Sequence, residues 1–295
     1  MMKFTSVSAA VLALALTAGS ALAADLPSRK AAPAYIPPPP PPPMWTGFYV
    51  GLNAGGTFGA SGGTSTESWG VLNGGSPIHG WAAGLSATSA PTSNNNSGFI
   101  GGGQIGYNWQ FMNSFLVGVE ADIQGVAGNS GSQNIFGASS DPFTGTTFAT
   151  FGTRSSRLDY LGTVRGRLGW LFTPTLLVYG TGGLAYGGVS TNSSFVTSEL
   201  GIGLSSVGGT TFADTRVGWT AGGGFEWMFM PNWSAKVEYL YYDLGTVSAS
   251  GASIEPVVGD WGFSTTTRTR FDGHIVRAGL NYHFNWGSAP VVAKY

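Results

Sequence analysis

Ser97-Gly-Phe-Ile-Gly-Gly-Gly-Gln-Ile-Gly-Tyr-Asn-Trp-Gln-Phe111 is the stretch that decides the fold. Phe99, Ile105, Tyr107, Trp109 and Phe111 share one parity, while Gln104, Asn108 and Gln110 share the other. Successive side chains of a strand point to opposite faces, so these residues predict a strand with one apolar and one polar side. Seven further segments carry the same alternation: residues 46–56, 114–127, 157–172, 175–187, 216–230, 233–244 and 272–284. Each reaches the roughly 9 to 11 residues that a tilted strand needs to cross a bilayer. In residues 175–187 the outward parity stays open.

The connections point the same way. Residues 111–115, 172–175 and 230–233 are tight turns carrying Asn or Pro. The links at 57–96, 128–156, 188–215 and 245–271 are long and rich in Gly, Ser, Thr and Asn. Strict alternation of short and long links is the mark of an up-and-down membrane barrel, with turns on the periplasmic side and loops outside. The expectation is an all-β, closed, antiparallel, up-and-down transmembrane β-barrel of eight strands, or of ten if residues 81–90 add a hairpin. Aromatic residues flank every short turn: Trp109, Phe111 and Phe115, then Trp170 and Phe172, then Trp227, Phe229 and Trp233. They predict an interfacial girdle at the periplasmic rim.

A lipid-facing surface must exclude charge, since an Arg or Lys at the bilayer midplane costs about 2 to 4 kcal/mol. With the aromatic parity outward, the inward parity holds Glu120, Asp122, Arg157, Asp159, Arg165, Arg167, Arg216, Glu226, Lys236, Glu238 and Arg277. Eight strands leave an interior that side chains can fill. Buried charges persist when paired, so Glu120, Asp122 and Glu226 are expected among Arg165, Arg167 and Arg277. The glycines 101–103, 182–183 and 222–224 suit a tightly curved barrel.

The N-terminus reads as a secretory signal peptide. Lys3 is its positive region, residues 7–17 are apolar, and Ala21-Leu22-Ala23 is a small-residue cleavage pattern, so cleavage is expected after Ala23. A leader at 24–44 follows, with seven unbroken prolines at 37–43. Prolines in series adopt polyproline II and make a semi-rigid periplasmic spacer of about 20 Å. The barrel is expected over 45–284, with a C-terminal tail at 285–295. The chain has no cysteine, so no disulfide holds the exported protein together. Its net charge is −1, or −2 without Lys3, and it has no basic run, which removes the electrostatic case for nucleic acid.

Several motifs do not survive their context. Gly101, Gly103 and Gly106 match a dinucleotide fingerprint, but a strand follows instead of a helix. Gly59-Ala60-Ser61-Gly62-Gly63 matches a nucleophile elbow but lies in a glycine-rich loop. His79, His274 and His283 lack metal-ligand spacing. No catalytic residue, metal or cofactor is therefore expected.

Three stretches carry a family resemblance. They are Trp45-Thr-Gly-Phe-Tyr-Val-Gly-Leu-Asn-Ala-Gly-Gly56, Val164-Arg-Gly-Arg-Leu-Gly-Trp170 and Lys236-Val-Glu-Tyr-Leu-Tyr-Tyr-Asp243. In order and spacing they resemble the RopB-type small outer-membrane surface-antigen barrels of alphaproteobacteria, over residues 45–284. The resemblance implies an eight-stranded barrel in the outer membrane, with outer-membrane lipid around it. Insertion would use the barrel assembly machinery with periplasmic chaperones, and the protein would be a monomer. It also implies that Gly279, Tyr282 and Phe284 form the C-terminal assembly signal, with Tyr295 as a competing final aromatic. The expected role is a non-enzymatic structural and surface component of the envelope. The alternatives are a narrow passive channel, and ligand or host binding by loops such as the one bearing Phe136, Phe143, Phe148 and Phe151. A lipid-modifying enzyme would need Ser, His and an acid together at the outer rim.

Overall fold

The computed structural model describes residues 44–59, 64–71, 77–88, 97–128, 131–201, 203–254 and 262–284. The expected signal peptide, the leader up to residue 43, the tail at 285–295 and residues 60–63 of the glycine-rich loop lie outside the described residues. The elements are β1 (Gly47–Gly59), β2 (Thr64–Val71), α1 (Pro77–Thr88), β3 (Ser97–Phe111), β4 (Phe115–Ala127), β5 (Gly131–Ser140), β6 (Thr147–Thr173), β7 (Leu176–Leu200), β8 (Ser205–Met230), β9 (Trp233–Ile254) and β10 (Gly262–Phe284).

Eight strands close a ring through antiparallel pairs in the order β1-β3-β4-β6-β7-β8-β9-β10, and β10 returns to β1 from Phe48↔Phe284 to Gly59↔Gly273. Two more strands pair only on outer halves: β2 along Gly262–Thr269 of β10, and β5 along Thr147–Ser156 of β6. The sheet therefore holds ten strands while the cylinder has eight. The extra pair does not come from a hairpin at 81–90; that segment falls mainly in helix α1. The helix opens on Pro77, where a missing N–H costs nothing because first-turn N–H groups have no intrahelical partner. It buries Ala82, Ala83 and Ala87 against Ile135, Phe148, Phe195 and Phe263.

Three of the long links are largely strand. β6 runs for 27 residues, β7 for 25 and β8 for 26, far beyond the bilayer-crossing length. Their outer halves still alternate, as in 193–197, where Ser193, Phe195 and Thr197 are buried while Ser194 and Val196 are exposed. Beyond Trp219↔Asp243 the pairing of β8 with β9 stops. The cylinder there gives way to two facing sheets, β5-β6-β7-β8 and β9-β10-β2. Phe195 stacks on Phe263 at 5.9 Å and Ser206 Oγ meets Ser253 Oγ at 2.7 Å between them.

One irregularity reassigns charges. The register of β6 with β7 shifts between Leu158 and Tyr160. A bulge inserts one residue and exchanges the faces of the strand beyond it. Below Asp159 the odd positions 161–167 face inward; above it the even positions Arg154, Ser156 and Leu158 do. A second shift, between Arg270 and Asp272, places the extra residue on β9 at Gly245, whose φ of 79° favours glycine.

The parity of β7, open from sequence, is settled: Leu177, Tyr179 and Thr181 face in, while Val178 and Leu184 face out.

Candidate functional site

The lumen is the chemically distinctive part of the molecule. Glu120 and Asp122 enter it from β4, Arg165 and Arg167 from β6, Glu226 from β8, Lys236 and Glu238 from β9, and Arg277 from β10. All eight are ion-paired, with side chains wholly removed from solvent. Four acids face four bases, so the set is neutral.

Arg165 bridges three carboxylates: its Nη2 donates to Glu120 and to Asp122 Oδ2 at 2.9 Å, and its Nη1 to Glu238 Oε1 at 2.9 Å. Arg277 donates to Glu238 through Nε at 2.8 Å and to Asp122 Oδ2 through Nη2 at 2.9 Å. Lys236 Nζ reaches both oxygens of Glu120 at 2.9 Å. Arg167 donates to Tyr49 Oη at 2.7 Å and to Glu226 Oε2 at 2.6 Å, with its guanidinium carbon 4.0 Å from the Tyr179 ring centroid. Neutral groups complete the set. Tyr49, Tyr179, Thr163, Ser234 and Asn281 donate to carboxylates, and Gly279 faces the same interior, where an added Cβ would crowd the Leu52 carbonyl oxygen at 3.0 Å.

Sequence reasoning named the charges and missed these neutral partners. Their signal was inward parity, shared by Tyr49, Thr163, Ser234 and Asn281.

Three of the expected lumen charges are elsewhere. Arg157 and Asp159 pair with each other at 2.7 Å on half-exposed side chains, because the bulge turns them outward. Arg216 keeps inward parity but sits where β8 and β9 part, donating to the Thr246 carbonyl at 3.1 Å.

Apolar layers close the lumen on both sides of the charges. Toward the short turns, Trp45, Leu116, Leu171, Leu177, Tyr179 and Met228 pack together, and Trp45 Nε1 donates to the Pro174 carbonyl at 2.9 Å. On the other side lie Ile100, Leu158, Leu161, Val189, Leu240, Leu244, Phe271 and Ile275.

Ser234, His283 and Glu226 also meet inside the lumen. Ser234 Oγ is 2.6 Å from Glu226 Oε1 and 2.8 Å from His283 Nε2, while that same Nε2 is 3.5 Å from Glu226. A nucleophilic triad needs the acid on the far imidazole nitrogen and a hydroxyl open to substrate. Here the acid and the serine share one nitrogen, and the cluster lies under Trp45 at the short-turn end. It is an extension of the ion-paired set.

The outer face is apolar. Between the short turns and the level of Trp219, Tyr241 and His274, outward positions carry no Asp, Glu, Lys or Arg; Leu52 and Leu168 are 73% and 70% exposed. Trp109, Phe115, Trp170, Phe172, Trp227, Phe229 and Trp233 are exposed and Phe111 half-buried around the short-turn rim. Neighbouring rings touch: Trp109 and Phe111 at 5.8 Å, Trp170 and Phe172 at 5.7 Å, and Trp227 and Phe229 at 5.9 Å. Tyr282 lies edge-on to Phe284 at 5.0 Å and to Trp233 at 5.2 Å. A second belt forms at the other rim, where Tyr241 packs on Trp219 and His274 at 5.3 Å each. Of the loop aromatics, Phe136 and Phe151 pair at 5.1 Å on the outer surface and Phe143 is exposed, whereas Phe148 is core.

The family model described as outer membrane protein beta-barrel domain matches residues 9–284. The 31 kDa outer-membrane immunogenic protein of Brucella melitensis is 35% identical over 275 residues, 92% of this chain and 96% of that protein. The 22 kDa outer membrane protein of Rhizobium leguminosarum is 32% identical over 144 residues, 48% of this chain and 52% of its own length. Among solved structures, the outer membrane protein OprG of Pseudomonas aeruginosa aligns with a TM-score of 0.35 at 11% identity, covering 81% of this chain and 97% of that one.

Proposed function

Since the chain belongs to the outer membrane protein β-barrel domain family and resides in the bacterial outer membrane, we propose that it is a sealed, non-catalytic barrel whose work is done by its surface. The observation that carries this reading is the closure of the lumen. A neutral layer of eight fully buried charged side chains lies between two apolar layers, so the described residues fill the bore and leave solutes no water-filled path among them. The wrong-way arrangement of Ser234, His283 and Glu226 likewise supports a protein without turnover.

The part that projects is the pair of facing sheets beyond the Asp159 bulge, built from the outer halves of β6 to β10 with β2 and β5. The Brucella relatives are named immunogenic proteins. We take the same outer surface, including the Phe136 and Phe151 pair, to be what this chain shows to its surroundings.

Planar-bilayer recording tests the first half of the proposal: purified protein should give no stable conductance steps, and large steady steps would overturn it. Because the chain has no cysteine, a Thr153→Cys variant tests the second half. A membrane-impermeant maleimide added to intact cells should label it, and protection of that site would overturn the assignment.

A further inference from the structure

Above the apolar layer, the two facing sheets and α1 border a small compartment walled by both polar and apolar side chains. It is lined by Thr66 of β2, Ala87 of α1, Ile135 of β5, Thr150 and Arg154 of β6, Ser193 and Phe195 of β7, and Thr265 and Thr267 of β10. Arg154 is its one charged lining residue. Only 8% of Arg154 is exposed, so most of the residue is out of solvent and its Nε is fully so. Its Nη2 donates to Thr66 Oγ1 at 2.9 Å, and its Nε is buried with no partner. Among the described residues it forms no ion pair.

That situation sets Arg154 apart from the other deeply buried arginines of the protein. Arg165, Arg167 and Arg277 each touch at least two carboxylates. Burial acts alone on Arg154 and depresses its proton affinity, with no acid to offset it. A buried cation without a counter-charge is costly, and proteins keep one where something anionic completes it.

The surrounding hydroxyls have protons to offer. Thr66 Oγ1 accepts from Arg154, and Ser193 Oγ accepts from Thr210 at 3.3 Å, which leaves both hydroxyl protons free to point into the compartment. Beside them Thr150 is tied to Ser86 of α1 at 2.7 Å and to Thr197 at 2.8 Å, which fixes the wall. The cavity is about 10 Å³, roughly room for one water-sized particle, so a phosphate or an organic acid does not fit.

We propose that the compartment under α1 binds a single small monovalent anion of the halide class, held by Arg154 Nε and the hydroxyls of Thr66 and Ser193. The anion supplies the counter-charge that the lining residues lack and ties β2, β6 and β7 together beneath the helix. The site is separate from the lumen charges, and its failure would leave the sealed-barrel reading untouched.

Two measurements on the full-length folded protein in detergent test it. Thermal unfolding is followed at constant ionic strength while sodium chloride or bromide replaces sodium gluconate, whose anion is too large to enter. The wild-type midpoint should rise as halide replaces gluconate, as any ligand bound only by the folded state requires. The Arg154→Met midpoint should not respond. A wild-type midpoint indifferent to halide, or a response of equal size in Arg154→Met, overturns the proposal. Should Arg154→Met fail to fold, bromide-soaked crystals of the wild type decide the matter. An anomalous peak in contact with Arg154 Nε supports the site, and its absence at saturating bromide overturns it.

Discussion

Tyr49 Oη donates to Glu120 Oε2 at 2.6 Å although β1 and β4 are not neighbours. β3 runs between them, and its residue in register with both is Gly106. A Cβ on Gly106 would overlap the Tyr49 ring, so the missing side chain is the passage through which the tyrosine crosses the strand. Gly106→Ala should therefore destabilise the barrel by about 1 to 3 kcal/mol through overpacking. Tyr49→Phe keeps the ring but deprives Glu120 of a donor and Arg167 of an acceptor, at a cost of roughly 1 to 3 kcal/mol. Urea unfolding of the barrel reconstituted in lipid vesicles measures both.

Arg165 is the hub of the lumen set, so its loss strands charge. Arg165→Met leaves Glu120, Asp122 and Glu238 one cation short in a site buried from solvent, and roughly 3 to 5 kcal/mol of stability should go with it. Removing one acid as well restores neutrality. The Arg165→Met, Glu120→Gln double variant should be less destabilised than the two single losses summed, with a coupling of about 0.5 to 3 kcal/mol. Additive losses would show that the pair acts independently.

Trp45 closes the short-turn end, edge-on to His283 at 5.6 Å and hydrogen-bonded to Pro174. It is a cork above which the charged layer still fills the bore. Trp45→Ala should lower stability by roughly 3 to 5 kcal/mol and yet leave planar bilayers silent. Steady conductance from this variant would put the whole seal at the cork and none of it at Arg165 and Arg167.

The barrel and most of its lumen were legible because bilayer and interior impose opposite solvents on alternate residues. Glu120, Arg165, Arg167, Glu226, Lys236, Glu238 and Arg277 follow from parity alone. What parity cannot carry is a change of phase. The bulge at Asp159 turns Arg157 outward and brings Arg154 in, and no residue type near 157–160 signals it. The Gly245 bulge was not read either, because residues 245–271 look like a long loop, although a glycine next to alternating residues is a place where a strand can change phase. The outer halves of β6 to β8 read as loop because Ser, Thr and Gly are turn formers as well as strand residues. Their strand character rests on tertiary pairing, such as Thr150 with Thr197, which composition does not reveal. Helix α1 was missed for the same reason: its Ala and Gly residues are buried against the facing sheets and form no apolar stripe of their own.

The Asp159 bulge also divides β6 into a part that meets lipid and a part that does not, and a pair of substitutions can locate that border. Val164 is outward and 52% exposed below the bulge, in register with Ala121 and Leu184. Thr153 is outward and exposed above it, in register with Asn134 and Ser194. An arginine at 164 must enter hydrocarbon, so Val164→Arg should cost about 2 to 4 kcal/mol. An arginine at 153 meets water among hydroxyls and amides, so Thr153→Arg should stay within about 0.5 kcal/mol of the parent. Both are read from urea unfolding in vesicles of one lipid thickness. Equal losses at the two sites would mean that the hydrocarbon extends past Asp159, and the Arg157 and Asp159 pair would then be standing in lipid rather than at its edge.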